Sequence, residues 1–268
     1  IGALKALEEL GIKIKYISGT STGSAIAALY AMGYTPEEIK QICKEKNKKI
    51  LKIRKKVLCK MAINFLLHKE TRVEGIIDGK LVEDFINEAA REKEKNIITD
   101  FDERQLAIAT VDTVSMKECI FISNEIKNTN ENINYITDIN IGKAVRSSMA
   151  FPAIFTTSNY KKYNFIDGGT ADNLPVQVLK DMGATKTIAV SFDLNKYSPS
   201  KSLEGVLIRA LDIFSNPSVQ KSRDLADISI EIYNPDTSLL SMDEIEKTMV
   251  NGYNAVMRQK EKILAEEQ

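Results

Sequence analysis

Ile17-Ser18-Gly19-Thr20-Ser21-Thr22-Gly23 carries the spacing Gly-x-Ser-x-Gly between an apolar run and a run of small residues. A serine at the tip of a sharp strand-to-helix turn stands clear of the sheet edge. The turn brings backbone so close that glycine is expected at both flanking positions, Gly19 and Gly23. Such a serine also sits at the positive end of the following helix, whose free N–H groups favour a developing oxyanion. Upstream, Ile12, Ile14, Tyr16 and Ile17 form a short β-type run after Gly11; downstream, residues 25–32 read as a closely packed helix stopped by Gly33. A plain βα turn that happens to contain serine fits the same residues, so the pentapeptide leaves both readings open.

The 268 residues are 43% hydrophobic. This suffices for one sizeable α/β domain over 1–268, and neither a repeat nor a linker divides it. With 37 basic and 37 acidic residues the formal net charge is +0. No basic helix with interleaved aromatics offers a surface for nucleic acid, and that class of partner is set aside. Cys43, Cys59 and Cys119 are widely spaced, without a Cys-x-x-Cys pair or an adjacent histidine, and read as reduced structural thiols. No ligand cluster for a metal is visible and no cofactor is expected. Gly19 to Gly23 also lacks the Gly-x-Gly-x-x-Gly order of a dinucleotide loop. No apolar run has the length of a membrane span and no signal peptide is visible. The expected location is cytoplasmic or at a membrane surface, with an upstream targeting signal left open.

Along the chain, residues 3–10 have the spacing of a short helix with Leu4, Leu7 and Leu10 on one face and Gly11 as its stop. Thr35-Pro36-Glu37-Glu38 is a capping box that opens another helix. Residues 44–60 are strongly basic and run into the apolar stretch 61–67; a solvated helix face or a membrane-facing flap would each suit them. Residues 74–79 read as a turn, 80–92 as a helix with Leu81, Phe85 and Ala89 on one face, and 106–111 and 118–122 as buried strands. A loop is expected over 124–134 and a helix over 141–149. A strand or hairpin arm is expected over 160–166, and helices starting at Pro175, Leu203 and near Met242 flank strands at 187–192 and 228–232. Strands alternating with helices predict a mainly parallel sheet covered on both faces.

A serine hydroxyl needs a base. The chain has one histidine, His68, and it precedes Asp167, whereas the α/β-hydrolase order places histidine last. His68 is read as an exposed or packing residue, which leaves a carboxylate. Asp167 follows the strand-like Tyr163-Asn164-Phe165-Ile166 and precedes Gly168-Gly169, so backbone can pass close beside it. As sole base it needs desolvation or a directly shared hydrogen bond with Ser21. A turn aspartate bonding its own backbone is the alternative reading of Asp-Gly-Gly.

Taken together, four runs resemble the patatin-like phospholipase family. They are Gly2-Ala3-Leu4-Lys5-Ala6-Leu7-Glu8-Glu9-Leu10-Gly11-Ile12, the elbow Ile17 to Gly23, Ala144-Val145-Arg146-Ser147-Ser148-Met149-Ala150-Phe151-Pro152, and Asp167-Gly168-Gly169 with Asp172-Asn173-Leu174-Pro175-Val176. The resemblance implies a three-layer α/β/α fold and a lipid acyl hydrolase of phospholipase A or lysophospholipase type. In it Ser21 is the nucleophile and Asp167 the base, without histidine; the backbone amide of Thr22, next after the nucleophile, is read as one oxyanion donor. It implies a lipid or lysolipid substrate, with peripheral membrane contact open. It also implies a first strand and a glycine-rich oxyanion loop before Gly2, which the sequence, opening at Ile1, does not include. Arg146 is read as a structural pairing residue, its alternative being an acidic head group. Acyl transfer or thioester hydrolysis through the same acyl-serine, and a catalytically silent lipid-binding module, are the rival readings.

Overall fold

Small residues at helical spacing open the chain. In the computed structural model, which describes residues 1–45, 75–126, 130–193, 203–233 and 242–266, helix α1 (Gly2–Glu9) buries Gly2, Ala3, Ala6 and Leu7. Gly11 then turns at φ 80°, a conformation that favours glycine. Strand β1 (Tyr16–Thr20) passes to helix α2 (Thr22–Ala31) through Ser21 alone. A helical segment, α3 (residues 36–45), starts at the expected capping box: Thr35 N–H donates to Glu38 Oε2 at 2.7 Å and Glu38 N–H to Thr35 Oγ1 at 3.3 Å. There follow β2 (Gly75–Ile77), α4 (Lys80–Glu92), β3 (Gln105–Asp112), β4 (Lys117–Ile122), β5 (Ile133–Ile136), α5 (Ile141–Ser148), β6 (Ala153–Phe155), β7 (Ser158–Tyr160) and β8 (Tyr163–Asp167). The chain then continues through α6 (Val176–Asp181), β9 (Ile188–Phe192), α7 (Leu203–Leu225), β10 (Ile228–Ile232), α8 (Met242–Met257) and α9 (Lys260–Glu266).

Strand β3 is the hub of the six-stranded sheet. On one edge it pairs with β4, antiparallel from Ala107↔Ile122 to Asp112↔Lys117, and β4 pairs in parallel with β5. The other edge is shared. Its first half, Gln105 to Ala109, takes β1 in parallel, and its second half, Thr110 to Asp112, takes β8 antiparallel. Strand β7 closes that side as a hairpin with β8.

The sheet is therefore mixed, where alternating elements predicted a mainly parallel one. The cause is the short connection at residues 113–116. It can only return the chain antiparallel, and the Asp112 carboxylate pins it by accepting Ser115 N–H at 2.9 Å.

The α/β character is as expected, with helices on both faces. Alternate residues of β3 point to opposite sides: Leu106 and Ile108 join a core with residues of α2, α4 and α5, while Ala107 joins Val178 of α6 and Met182, which follows it. A further core joins Ala3, Ala6 and Leu7 of α1 to β10 and to Ala255 and Val256 of α8.

Four local expectations change. Residues 75–77 form strand β2, paired in parallel with β6, where a turn was predicted. Helix α4 buries Val82, Ile86, Ala89 and Ala90, so its inner face lies one position on from Leu81 and Phe85. Strand β5 begins inside the predicted loop, and α7 runs through Pro217 to Leu225. Of the basic stretch 44–60, Lys44 pairs with Glu246 of α8; residues 46–74, with His68 and Cys59, lie outside the described residues.

Candidate active site

The shared edge of β3 decides the geometry. Strand β1 ends with Thr20 opposite Ala109, and β8 ends with Asp167 opposite Thr110. Two strands that arrive from opposite directions thus end at adjacent positions of a third. The next residue after Thr20 is Ser21, which meets Asp167 there although 146 positions separate them in sequence.

Ser21 sits at φ 53° and ψ −128°, outside the regions a non-glycine residue favours. Such backbone costs about 1–3 kcal/mol and persists only where neighbours over-determine it. The neighbours are present. Ser24 N–H and Ser24 Oγ–H both donate to the Ser21 carbonyl, at 2.9 and 2.6 Å. Ser21 N–H donates to Ser148 Oγ at 2.9 Å, and Ser148 Oγ–H donates to the Ala109 carbonyl at 2.7 Å. The Thr22 amide opens α2 and so has no acceptor within the helix.

Gly19 supplies room as expected, since a Cβ there would lie 2.5 Å from the Gly23 carbonyl group. Gly23 does not fit the expectation in the same way: a Cβ on it would meet nothing within 4 Å. It is the backbone at Gly23 that crowds Gly19, so the need for glycine falls on one side of the elbow. Gly168 is held by contact too, with Ala109 O 2.3 Å from where its Cβ would be. At Gly169 the tightest neighbours would be Asp167 Oδ1 at 3.1 Å, Asn173 Oδ1 at 3.2 Å and Leu211 Cδ2 at 3.3 Å.

Asp167 is fully buried. Its Oδ1 accepts Gly169 N–H at 2.8 Å, and its backbone N–H donates to Ala150 O at 3.0 Å. Oδ2 is buried and has no hydrogen-bond partner among the described residues. Burial pushes the carboxyl pKa up to about 6, against the downward pull of the Ser21 hydroxyl and the Gly169 amide. The Ser21 contact is felt by the carboxyl but stops short of full hydrogen-bond geometry. Desolvation outweighs it because, among the described residues, no cation acts on the group to favour its charge.

The loop after Asp167 is stitched back to β1. Ser18 Oγ–H donates to Pro175 O at 2.7 Å and Thr20 Oγ1–H to Asp172 O at 2.8 Å. Arg146 is buried: its Nη2 donates to Thr156 O, Thr156 Oγ1 and Thr157 O at 2.9, 2.8 and 3.1 Å, and its Nη1 has no hydrogen-bond partner among the described residues. Ser148 and the Ala150 carbonyl were not singled out from sequence as site residues. Their only signal was membership of the run 144–152, since neither residue type marks a contact made across the fold. No group of three or more metal-ligating side chains occurs among the described residues.

The described fold is a layered α/β one in which a strained serine turn lies beside a buried aspartate. The chain belongs to the patatin-like phospholipase family, whose model, described as Patatin-like phospholipase, matches residues 1–180. That family is one of lipid acyl hydrolases. Among its relatives, the uncharacterized protein YqhO of Bacillus subtilis is 28% identical over 65% of this chain and 60% of its own length. Patatin-like phospholipase domain-containing protein 6 of Mus musculus is 27% identical over 85% of this chain and 15% of its own length. Lysophospholipase NTE1 of Yarrowia lipolytica is 26% identical over 71% of this chain and 11% of its own length. The chain thus spans no more than 60% of any of these three relatives. Among the described residues no helix is long and apolar enough to cross a membrane.

Proposed function

We propose that Ser21 and Asp167 act as a two-residue catalytic unit that hydrolyses fatty acyl esters of phospholipids or lysophospholipids. The observation that carries this reading is the buried Asp167 carboxyl, on which the Ser21 hydroxyl acts and whose Oδ2 has no hydrogen-bond partner among the described residues. In the acylation step Ser21 Oγ attacks the ester carbonyl carbon while its proton passes to Asp167 Oδ2. The Thr22 N–H donates to the resulting oxyanion. As the tetrahedral adduct collapses, the ester C–O bond breaks and the departing alcohol takes the proton from Asp167. Water then attacks the acyl-Ser21 carbonyl, again giving a proton to Asp167. The second adduct releases the fatty acid, and Ser21 regains its hydrogen. A carboxyl pKa near 6 suits this duty, being ionised at neutral pH yet more basic than an ordinary aspartate.

Support for a lipid substrate comes from α7. Its Leu211 packs on Gly169, while Val206, Ile213 and Phe214 are 55%, 60% and 77% exposed. Exposed apolar side chains on the helix that carries Leu211 suit contact with an aggregated lipid. The test is fluorophosphonate labelling with peptide mapping. Label on Ser21, lost in Ser21→Ala together with ester hydrolysis, is expected; labelling that survives Ser21→Ala defeats the proposal.

A further inference from the structure

The segment that ends α5 touches both members of the proposed pair. Ser148 Oγ accepts the Ser21 N–H at 2.9 Å, and two residues on, the Ala150 carbonyl accepts the Asp167 N–H at 3.0 Å. Both bonds refer back to one point of β3. Ser148 Oγ–H donates to Ala109 O at 2.7 Å, and the same carbonyl would lie 2.3 Å from a Cβ on Gly168, the residue after Asp167. Thr110 completes the frame: its Oγ1–H reaches Ile166 O at 2.8 Å and Ser147 O at 3.3 Å. A separation between nucleophile and base that must hold to a fraction of an ångström is thus set through a single turn of chain.

We propose that Ser148 is a positioning residue for the reaction, its hydroxyl fixing the strained Ser21 backbone at the distance from Asp167 that proton transfer needs. Ser148 is fully buried. By taking the Ser21 N–H it also removes that amide from the oxyanion donors, so donation from the elbow begins at Thr22. Without the bond, the Ser21 backbone at φ 53° is held, among the described residues, only from its carbonyl side, by Ser24. A displacement of about 1 Å at a reacting group costs on the order of 10²-fold in rate.

This inference rests on the Ser21–Asp167 reading, and its test separates the two. Ser148→Ala removes the hydroxyl, whereas Ser148→Cys keeps nearly the same volume with a much weaker acceptor. Both variants, wild type and Ser21→Ala are compared by hydrolysis of a soluble p-nitrophenyl ester and by the rate of fluorophosphonate labelling. Each rate is normalised to the labelled fraction. For Ala and Cys alike the expected result is a fall in kcat of about 10- to 100-fold with KM within about twofold, and a parallel fall in labelling rate.

The acid limb of kcat/KM should also move to higher pH, because a displaced Ser21 hydroxyl no longer draws the Asp167 pKa down. The groups acting on Asp167 are its burial, Ser21 and Gly169. Glu118 of β4, Asp172 and Lys221 of α7, the charged groups facing the loop beyond it, act within their own cluster.

A purely structural Ser148 would lower thermal stability while leaving the normalised kcat and the acid limb in place, and that result overturns the proposal. If Ser148→Ala does not fold, the Cys variant carries the same comparison. Labelling that persists in Ser21→Ala instead defeats the reading beneath it, whatever Ser148 does.

Discussion

At Gly19 the added Cβ of an alanine would press on the Gly23 carbonyl at 2.5 Å, whereas at Gly23 it would stand in open space. Backbone cannot give way there without moving Ser21. Gly19→Ala is therefore expected to destabilise the protein by about 1–3 kcal/mol and to abolish labelling of Ser21. Gly23→Ala should leave the melting temperature nearly unchanged, and thermal unfolding of the pair checks the asymmetry. Asp167 makes a second prediction at this scale. Its carboxyl must be ionised to accept a proton, so kcat/KM should fall as pH drops through about 6. Asp167→Asn keeps an oxygen for the Gly169 N–H but has no basic site, and should remove hydrolysis at every pH. An acid limb near pH 4 in wild type would show that burial does not set this pKa.

Among the elements, α7 leaves some apolar side chains in solvent while it buries others. It buries Ser215, Val219 and Ser222, while Ile213 and Phe214 stand exposed just before Pro217. Proline supplies no N–H to the carbonyl four residues earlier, which is that of Ile213, and it interrupts the ladder at this point. The exposed pair Ile213 and Phe214 has the composition of a lipid contact. Replacing Ile213 and Phe214 together by serine should reduce co-sedimentation with phosphatidylcholine vesicles at least several-fold. Unchanged vesicle binding would remove α7 from the proposed contact.

For the whole molecule, the raised carboxyl groups contribute a pH dependence of stability between about pH 5 and pH 8. Burial, reinforced by Asp172, pushes Glu118 up to about 7, its Oε1 being buried without a partner among the described residues. Asp167 stands at about 6 for want of solvent. A carboxyl raised in the folded state binds its proton more tightly there than in the unfolded chain. The stabilisation is complete below the unfolded value near 4 and is lost as pH rises through 6 and 7. The melting temperature should therefore decline between about pH 5 and pH 8. The double variant Glu118→Gln, Asp167→Asn should show a flatter profile and be more stable at pH 8 by about 1–3 kcal/mol. An equal decline in both proteins would assign the pH dependence elsewhere. Packing between distant parts of the chain is equally exacting: a Cβ at Gly2 of α1 would fall 1.8 Å from Met249 O of α8. Gly2→Ala should cost about 1–3 kcal/mol by separating those helices.

The elbow was legible because a strand, a serine turn and a helix are local, and local sterics write glycine, serine and small residues into adjacent positions. Helix stops at Gly11 and Gly33 and the Thr35 capping box were legible for the same reason. Sequence also marked Asp167 through its glycines, yet not why it meets Ser21. That follows from β1 and β8 sharing one edge of β3, a pairing between distant segments on which no local pattern bears. The antiparallel pairs, the one-sided need for glycine at Gly19 and the Ser148 and Ala150 contacts arise likewise from backbone brought together across the fold. Residue types and spacing determined which groups are available for chemistry. Only the tertiary structure decided their distances and desolvation, because both depend on the strands and helices that close around them.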